Sequence, residues 1–407
     1  MFEQSDHAKQ LQRRLCDFMD QHIYPNEVVY REQLQNAKHR FATLPLMAQL
    51  REQAKQEGLW NLFVPPNHAE YSQHGGLSFS DYAPLAEVMG RVMWAAEVFN
   101  CNAPDTGNME VLMNFATPAQ KQQWLVPLLN GEIHSSYAMT EPQVASSDAT
   151  NIELAITKDG EHWLLNGRKW FITGAMHDDC RIFIVMGKSA PEHADRHLQQ
   201  TQILVPKDTP GVTIIRPLTT FGYDDAPIGH AEVVFNNVRV PLENVLLGEG
   251  RGFEIAQSRL APGRMHHCMR LIGAGQRALE LACQRATQRT TFGRPLAKHQ
   301  SVREDISRMY AEIEMARLLV LKTCWSIDTR GIEASLKLIA ASKTSVPLMV
   351  QNIIDRCIQL HGAGGLTDDY CMAEAFNYAR YCRIADGPDQ VHQMALGKRV
   401  IEHYQAG

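Results

Sequence analysis

The spacing of apolar positions changes twice along the chain. Between residues 5 and 23, Ala8, Leu11, Leu15, Phe18 and Met19 recur three and four apart. That spacing predicts an amphipathic helix capped by Ser5 and stopped at Pro25. A second helix is expected over 44–57, closed by Gly58, and a third over 81–99 behind Ser80. Thr117-Pro118 places a cap and then a proline at the first helical position of a helix over 119–129, which Asn130-Gly131 ends. The first ~130 residues therefore read as helical.

After Ile133 the period shortens to two. Strands are expected over 152–156, 162–166, 169–173, 180–186, 201–206, 212–216, 230–236 and 238–240, a small antiparallel β-domain. Within it, Leu164-Leu165, Asn166-Gly167 and the stretch from Trp170 to Thr173 read as a hairpin turning at Asn166-Gly167. The domain ends near Gly248-Glu249-Gly250-Arg251-Gly252. Beyond Phe253 long helices are expected over 253–288, 301–328, 332–360, 372–381 and 389–404, a four-helix-bundle-like domain. The expected division is an α+β chain with an N-terminal α-helical domain (1–134), a middle β-domain (135–249) and a C-terminal bundle (250–407). At 407 residues the chain is too long for one ordinary core, which agrees.

Charge narrows the function classes. The net charge is −5, and residues 301–407 hold 12 Lys/Arg against 13 Asp/Glu, so no basic tail suits nucleic acid. No apolar run reaches the length of a membrane span, and Met1-Phe2-Glu3-Gln4-Ser5-Asp6 does not read as a signal peptide. Nine scattered cysteines without a C-x-x-C pair read as small core hydrophobes of a reducing, cytoplasmic compartment.

Four segments carry candidate chemistry. Tyr137-Ala138-Met139-Thr140-Glu141-Pro142 with Ala145-Ser146-Ser147-Asp148 offers hydroxyls and unpaired N–H groups, and Trp170 follows on a strand. Such a loop can hold the polar edge of a flat cofactor while Trp170 covers a face, or can be an ordinary surface turn. Arg289-Thr290-Thr291-Phe292-Gly293-Arg294-Pro295 with Gln300 breaks two helices and gathers Arg289, Arg294 and Lys298, a clamp suited to pyrophosphate. Gln359-Leu360-His361-Gly362-Ala363-Gly364-Gly365 ends a helix on a glycine cap; with no strand before it, it is not a dinucleotide fingerprint. In Ile384-Ala385-Asp386-Gly387-Pro388-Asp389-Gln390-Val391, Pro388 and Asp389 suit a helix N-terminus. Asp386 lies just outside that helix, and Gly387 lets the chain turn and expose its carboxylate.

Taken together, these segments resemble the acyl-CoA dehydrogenase family in order over roughly residues 1–405. The resemblance implies an α–β–α fold and FAD as cofactor. Tyr137, Met139, Thr140, Ser147, Trp170, Phe171 and Thr173 match the segments that hold the flavin. Arg289, Phe292 and Gln300 match the Arg-x-Thr-Phe-Gly segment and its Gln, which reach a partner's FAD across a dimer interface. Gln359, Gly362 and Ala363 match a loop packed on the neighbour's FAD, with Ala363 where a second Gly is common. Asp386 occupies the position of the catalytic Glu, Gly387 contacts substrate, and Pro388 and Gln390 fall at cofactor-contacting positions. Arg264 matches an Arg near CoA, although Ala261 replaces its companion Asp; Ser147 matches a Ser near flavin and CoA in a loop one residue longer than usual.

The implied activity is α,β-dehydrogenation of an acyl-CoA in fatty acid metabolism. Asp386 takes the α proton, and hydride from the β carbon goes to flavin N5 beside Met139 and Thr140. The developing enolate is held by the N–H of Asp386 and a ribityl hydroxyl. Exclusion of water is expected to raise the Asp386 carboxyl above its usual value of about 3.9. The resemblance also implies a homotetramer and electron-transfer flavoprotein as electron acceptor. Asp is one methylene shorter than Glu, and Pro388 removes a hydroxyl and an N–H where the family has Thr. A nitroalkane-oxidase-like enzyme, whose base is an Asp, and a non-catalytic DNA-associated flavoprotein of the same superfamily are the alternatives. No metal site is expected: His193 and His197 flank Asp195 in a charged loop, with no third ligand in the pattern. His266-His267 reads as packing or surface, and no P-loop or Gly-x-Ser-x-Gly elbow occurs.

Overall fold

The computed structural model describes residues 3–405. Its first helix, α1 (Asp6–Phe18), starts where Ser5 accepts from the N–H of Ala8, and it buries Ala8, Leu11, Leu15 and Phe18. Pro25 does not stop the chain. A π turn (Met19–Ile23) and a 3-10 turn (Tyr24–Asn26) lead into α2 (Glu27–Asn36), with the proline in a first turn where its missing N–H costs nothing. After α3 (Pro45–Gln56), the expected 81–99 helix is two pieces, α4 (Phe79–Met89), capped by Ser78 rather than Ser80, and α5 (Ala95–Val98). Helix α6 (Asp105–Phe115) has no periodic signature, because Asp105 through Met113 are all buried and leave no polar stripe to set a period. A capping box of Thr117 and Gln120 opens α7 (Pro118–Gln120), which passes through a π turn into α8 (Val126–Asn130).

Seven strands follow in one sheet: β1 (His134–Ala138), β2 (Ala155–Asp159), β3 (His162–Thr173), β4 (Cys180–Lys188), β5 (Gln200–Pro206), β6 (Val212–Leu218) and β7 (His230–Pro241). The order is β1-β4-β2-β3-β7-β6, with β5 also on β4. The sheet is mixed, not purely antiparallel: β1, which is not among the strands expected from alternation, runs parallel to β4. Nor is there a turn at Asn166-Gly167. β3 continues through both residues, with a shift of register against β7 between Leu165 and Gly167, and the hairpin turns at Gly160, whose φ is 59°. Gly167 is a close-approach glycine, since a Cβ there would stand 2.8 Å from the Leu154 side chain. Along β4, Ile182 and Ile184 join the core shared with the helices while Phe183 and Val185 join the core beneath the sheet. A strand buried on both faces reads as an unbroken apolar run.

The last section holds α9 (Gly252–Gln288), a two-stranded hairpin of β8 (Thr290–Thr291) and β9 (Arg294–Pro295), α10 (Gln300–His361, interrupted at Gly331), α11 (Met372–Tyr381) and α12 (Asp389–Gln405). The α4–α9 crossing depends on Gly90 and Gly273: a Cβ on either would collide with the backbone of Arg270 or Glu87 on the facing helix. That close crossing carries the middle of α9 against the N-terminal helices and sets where its side chains point. Among the described residues no helix is long and apolar enough to cross a membrane.

Candidate active site

A cavity of about 1200 Å³ lies between the N-terminal helices, the end of β3 and the C-terminal helices. Its wall contains Tyr137, Met139, Thr140, Ser147, Trp170, Phe171 and Thr173 from the sheet side, Arg264 from α9, and Asp386, Gly387 and Pro388 from the turn before α12. Seven other candidates lie outside it. Arg289, Phe292 and Gln300 sit exposed at the β8–β9 hairpin and the start of α10, with the Gln300 amide donating to Glu304. Gln359, Gly362 and Ala363 are exposed at the end of α10, and Gln390 is exposed on α12.

The loop after β1 is clipped to β3 by two bonds. Thr140 Oγ1 donates to the carbonyl of Trp170 at 2.6 Å, and the Trp170 N–H donates to the Thr140 carbonyl at 3.0 Å. Beneath the clip lies a buried ion pair. Lys169 Nζ stands 2.8 Å from Glu141 Oε1 and donates to the Met139 carbonyl at 2.7 Å, while the Glu141 carboxylate accepts from the N–H groups of Glu153 and Leu154. Burial pulls Lys169 down to about 8, with Glu141 opposing. Each charged group has its opposite beside it and further hydrogen bonds to backbone, so removing one partner would strand a buried charge. A bulge in β3 between Lys169 and Ile172 gives Phe171 a φ of 50° and turns its ring outward, 41% exposed.

Asp386 sits in the turn before α12 with a φ of 54°, and Gly387 follows at 100°. Left-handed backbone at Asp is tolerated but rare, and here it is held from outside. Arg264 Nε donates to the Asp386 carbonyl at 3.0 Å, and His392 Nε2 lies 3.1 Å from the same oxygen. The Asp386 Oδ2 atom faces His267 Nε2 at 3.5 Å, and His267 Nδ1 is 2.8 Å from the Tyr378 hydroxyl. Arg259 lies over the Tyr137 ring at 4.1 Å and donates to Asn108. Burial alone would raise the Asp386 carboxyl, as the sequence leads one to expect. Instead Arg259, Lys343 and Arg264, joined by His267 once that ring protonates at low pH, outweigh burial and hold it below the ordinary carboxylate value. Burial pushes His267 down to about 3, so the ring beside the carboxylate is neutral.

Models of the acyl-CoA dehydrogenase N-terminal, middle and C-terminal domains match residues 5–132, 136–238 and 250–401. The chain belongs to the acyl-CoA dehydrogenase family. It is 50% identical to acyl-CoA dehydrogenase family member 10 of Mus musculus over 397 residues, covering 97% of this chain and 37% of that protein. Mycobacterium tuberculosis FadE2, which bears the family name, is 47% identical over 399 residues, covering 98% of this chain and 96% of FadE2. The chain spans about half or less of the length of the animal relatives it matches. A solved Mycobacterium abscessus chain bearing the family name superposes with a TM-score of 0.94 at 45% identity, covering 99% of this chain and all of that one. Butyryl-CoA dehydrogenase from Megasphaera elsdenii gives a TM-score of 0.82 at 25% identity over 98% of this chain and 100% of its own.

Set within this acyl-CoA dehydrogenase fold, His266 packs as expected, whereas His267 does more than pack. Both rings line the cavity; His266 packs edge-on against Tyr82 at 5.1 Å, and His267 meets Asp386. A signal for this exists in the sequence, since His267 falls one turn after Arg264 on the same helix and therefore on the same face. Arg259, Tyr378 and Lys343 leave no comparable trace, since nothing in their local sequence sets them apart from other polar helical residues. Asp389 stands at the first position of α12, as its sequence context suggests, 4% exposed and accepting from Arg383 Nε at 2.7 Å.

Proposed function

We propose that this member of the family is an FAD-dependent dehydrogenase that converts an acyl-CoA thioester to its 2-enoyl-CoA, with Asp386 as the base. The observation that carries the reading is the placement of the Asp386 carboxylate in one cavity with the Thr140–Trp170 clip and Thr173. The residues fit a flavin. The cavity exceeds what one drug-sized ligand requires, and the buried Thr220 Oγ1 and Asn377 Oδ1 on its wall have no hydrogen-bond partner among the described residues. Apolar surface beside unmatched polar atoms suits an aromatic ring system with a polar edge.

Trp170, Met139, Thr140 and Thr173 would hold the ring, with Ser147 at the mouth between ring and substrate. Arg289, Phe292, Gln300 and the Gln359–Ala363 loop, exposed here, would serve the FAD of a second copy in a homotetramer. When bound, FAD supplies the two-electron acceptor for the β hydride; electron-transfer flavoprotein would then reoxidise it. Asp386 takes the α proton on a carboxylate oxygen, and its cationic surroundings keep it ionised and ready at neutral pH. Its carbonyl is pinned by Arg264 and His392, which fixes the peptide plane. The Asp386 N–H makes no hydrogen bond to the described residues and is free to meet the thioester oxygen.

Anaerobic addition of an acyl-CoA series to the purified protein, followed by flavin absorbance, tests the reading. Bleaching by at least one acyl-CoA is expected. Bleaching by nitroethane and by no acyl-CoA would favour the nitroalkane-oxidase reading, which the Asp in place of Glu makes the natural rival.

A further inference from the structure

Thr173, the last residue of β3, is paired in the sheet with His230, the first residue of β7. Their side chains meet as well: Thr173 Oγ1 lies 3.0 Å from His230 Nδ1, and His230 Nε2 lies 2.8 Å from Asp225 Oδ2. All three residues line the cavity, and the His230 side chain is 9% exposed. Asp225 is fixed in its loop. Its carbonyl accepts from the Gly229 N–H at 2.8 Å, and neighbouring Asp224 is paired with Arg40 at 2.7 Å. The Phe171 ring and the edge of Tyr381 flank the imidazole at 6.3 and 6.1 Å.

An ionised carboxylate only accepts, so the His230 proton sits on Nε2 and is donated to Asp225. In a neutral ring Nδ1 is then a lone pair, and the Thr173 hydroxyl donates to it. The single hydrogen of that hydroxyl is spent, and Thr173 offers only lone pairs to whatever occupies the cavity.

We propose that Asp225 and His230 are positioning residues that fix Thr173 as a hydrogen-bond acceptor facing the cofactor. This rests on the reading that a flavin ring lies against the end of β3. Reduced flavin carries an N–H at its central ring nitrogen, whereas the oxidised ring presents a lone pair there. An acceptor at Thr173 therefore holds the reduced form more tightly and raises the reduction potential. Exchanging Asp225 for Asn lets an amide N–H donate to Nε2, which moves the ring proton to Nδ1 and turns the Thr173 hydroxyl toward the cofactor.

Two measurements test this. Nitrogen-15 NMR of His-labelled protein should show His230 protonated on Nε2 alone, and on Nδ1 in the Asp225→Asn variant. Dye-equilibrated potentials of the FAD-loaded protein should fall in Asp225→Asn and in Thr173→Val. The preference for the reduced form should drop roughly 2- to 10-fold, the worth of one hydrogen bond, with no further drop in the double variant. A wild-type His230 protonated on both nitrogens, an unchanged potential in Asp225→Asn with FAD fully bound, or additive shifts in the double variant would each overturn the proposal. Wild-type protein that takes up no FAD would instead overturn the flavin reading, and the NMR result would still decide the role of Thr173.

Discussion

His267 and Asp386 face one another across the chamber, Nε2 to Oδ2 at 3.5 Å, one from the middle of α9 and the other from the turn before α12. The histidine is anchored at its other nitrogen by the Tyr378 hydroxyl and is neutral because burial pushes its pKa to about 3. It can therefore orient the carboxylate without adding a full charge that would make it a weaker proton acceptor.

His267→Leu should accordingly slow reduction of bound flavin by acyl-CoA on the order of 100-fold, the penalty for a misaligned reacting group. FAD retention should be unchanged, and His267→Gln, which keeps a donor, should recover part of the rate. Stopped-flow bleaching reads both; equal rates for Leu and wild type would remove His267 from the mechanism.

Arg259 offers a separate handle on the same carboxyl. Against burial, which raises the Asp386 pKa, Arg259 acts with the cations Lys343 and Arg264 to lower it. Losing the Arg259 charge must then raise it, and the rate, which needs the ionised form, should fail at higher pH on the acid side. The expected signature of Arg259→Gln is an acid limb of the bleaching rate moved upward; a downward move would contradict it.

Glu110 governs stability rather than rate. The residue is 7% exposed, and burial, opposed by Arg259, raises its pKa from 4.5 to about 8. Between these values the unfolded chain has already released the proton that the folded chain keeps, so folding stability falls as pH climbs from 4.5 to 8. Glu110→Gln has no proton to release; it should flatten that decline and leave the protein more stable than wild type at pH 8, by a few kcal/mol. Thermal melts from pH 5 to pH 8 on both proteins give the comparison.

Phe292 is 94% exposed on the β8–β9 hairpin beside exposed Arg289. A solvated large ring with nothing to pack on suits a second subunit. Arg289→Ala and Phe292→Ser should lower FAD retention on dialysis, while the melting of the FAD-free protein stays within about 0.5 kcal/mol, as for ordinary surface changes. A stable monomer that keeps its FAD would contradict the intersubunit reading.

How much of this is legible in the sequence depends on which physics sets each element. Helix α1 announces itself by period and cap, and α9 by a long helical pattern with few breakers. Helix α6 does not, because burial on all sides erases the polar stripe. Asn166-Gly167 looks like a turn because the glycine is there for another reason, the approach of Leu154. At the site, Asp386 and Arg264 stand out through the company they keep in sequence. The direction in which Asp386 is shifted does not: the cations that lower its pKa come from α9 and α10 and meet only in the fold. Lys169 looks like one more strand residue, yet it is fully buried against Glu141 beneath the Met139–Thr140 loop.

The central claim is that Asp386 is the base, and one exchange tests it most directly. Asp386→Asn keeps the side chain's size and its place in the turn but removes the carboxylate. FAD binding and the far-UV spectrum should persist while bleaching by a good acyl-CoA slows by orders of magnitude. Asp389→Asn is the control, since Asp389 lies at the start of α12 paired with Arg383; it should cost stability and leave bleaching largely intact. Rapid bleaching in Asp386→Asn together with its loss in Asp389→Asn would place the base one helical turn away and contradict the account.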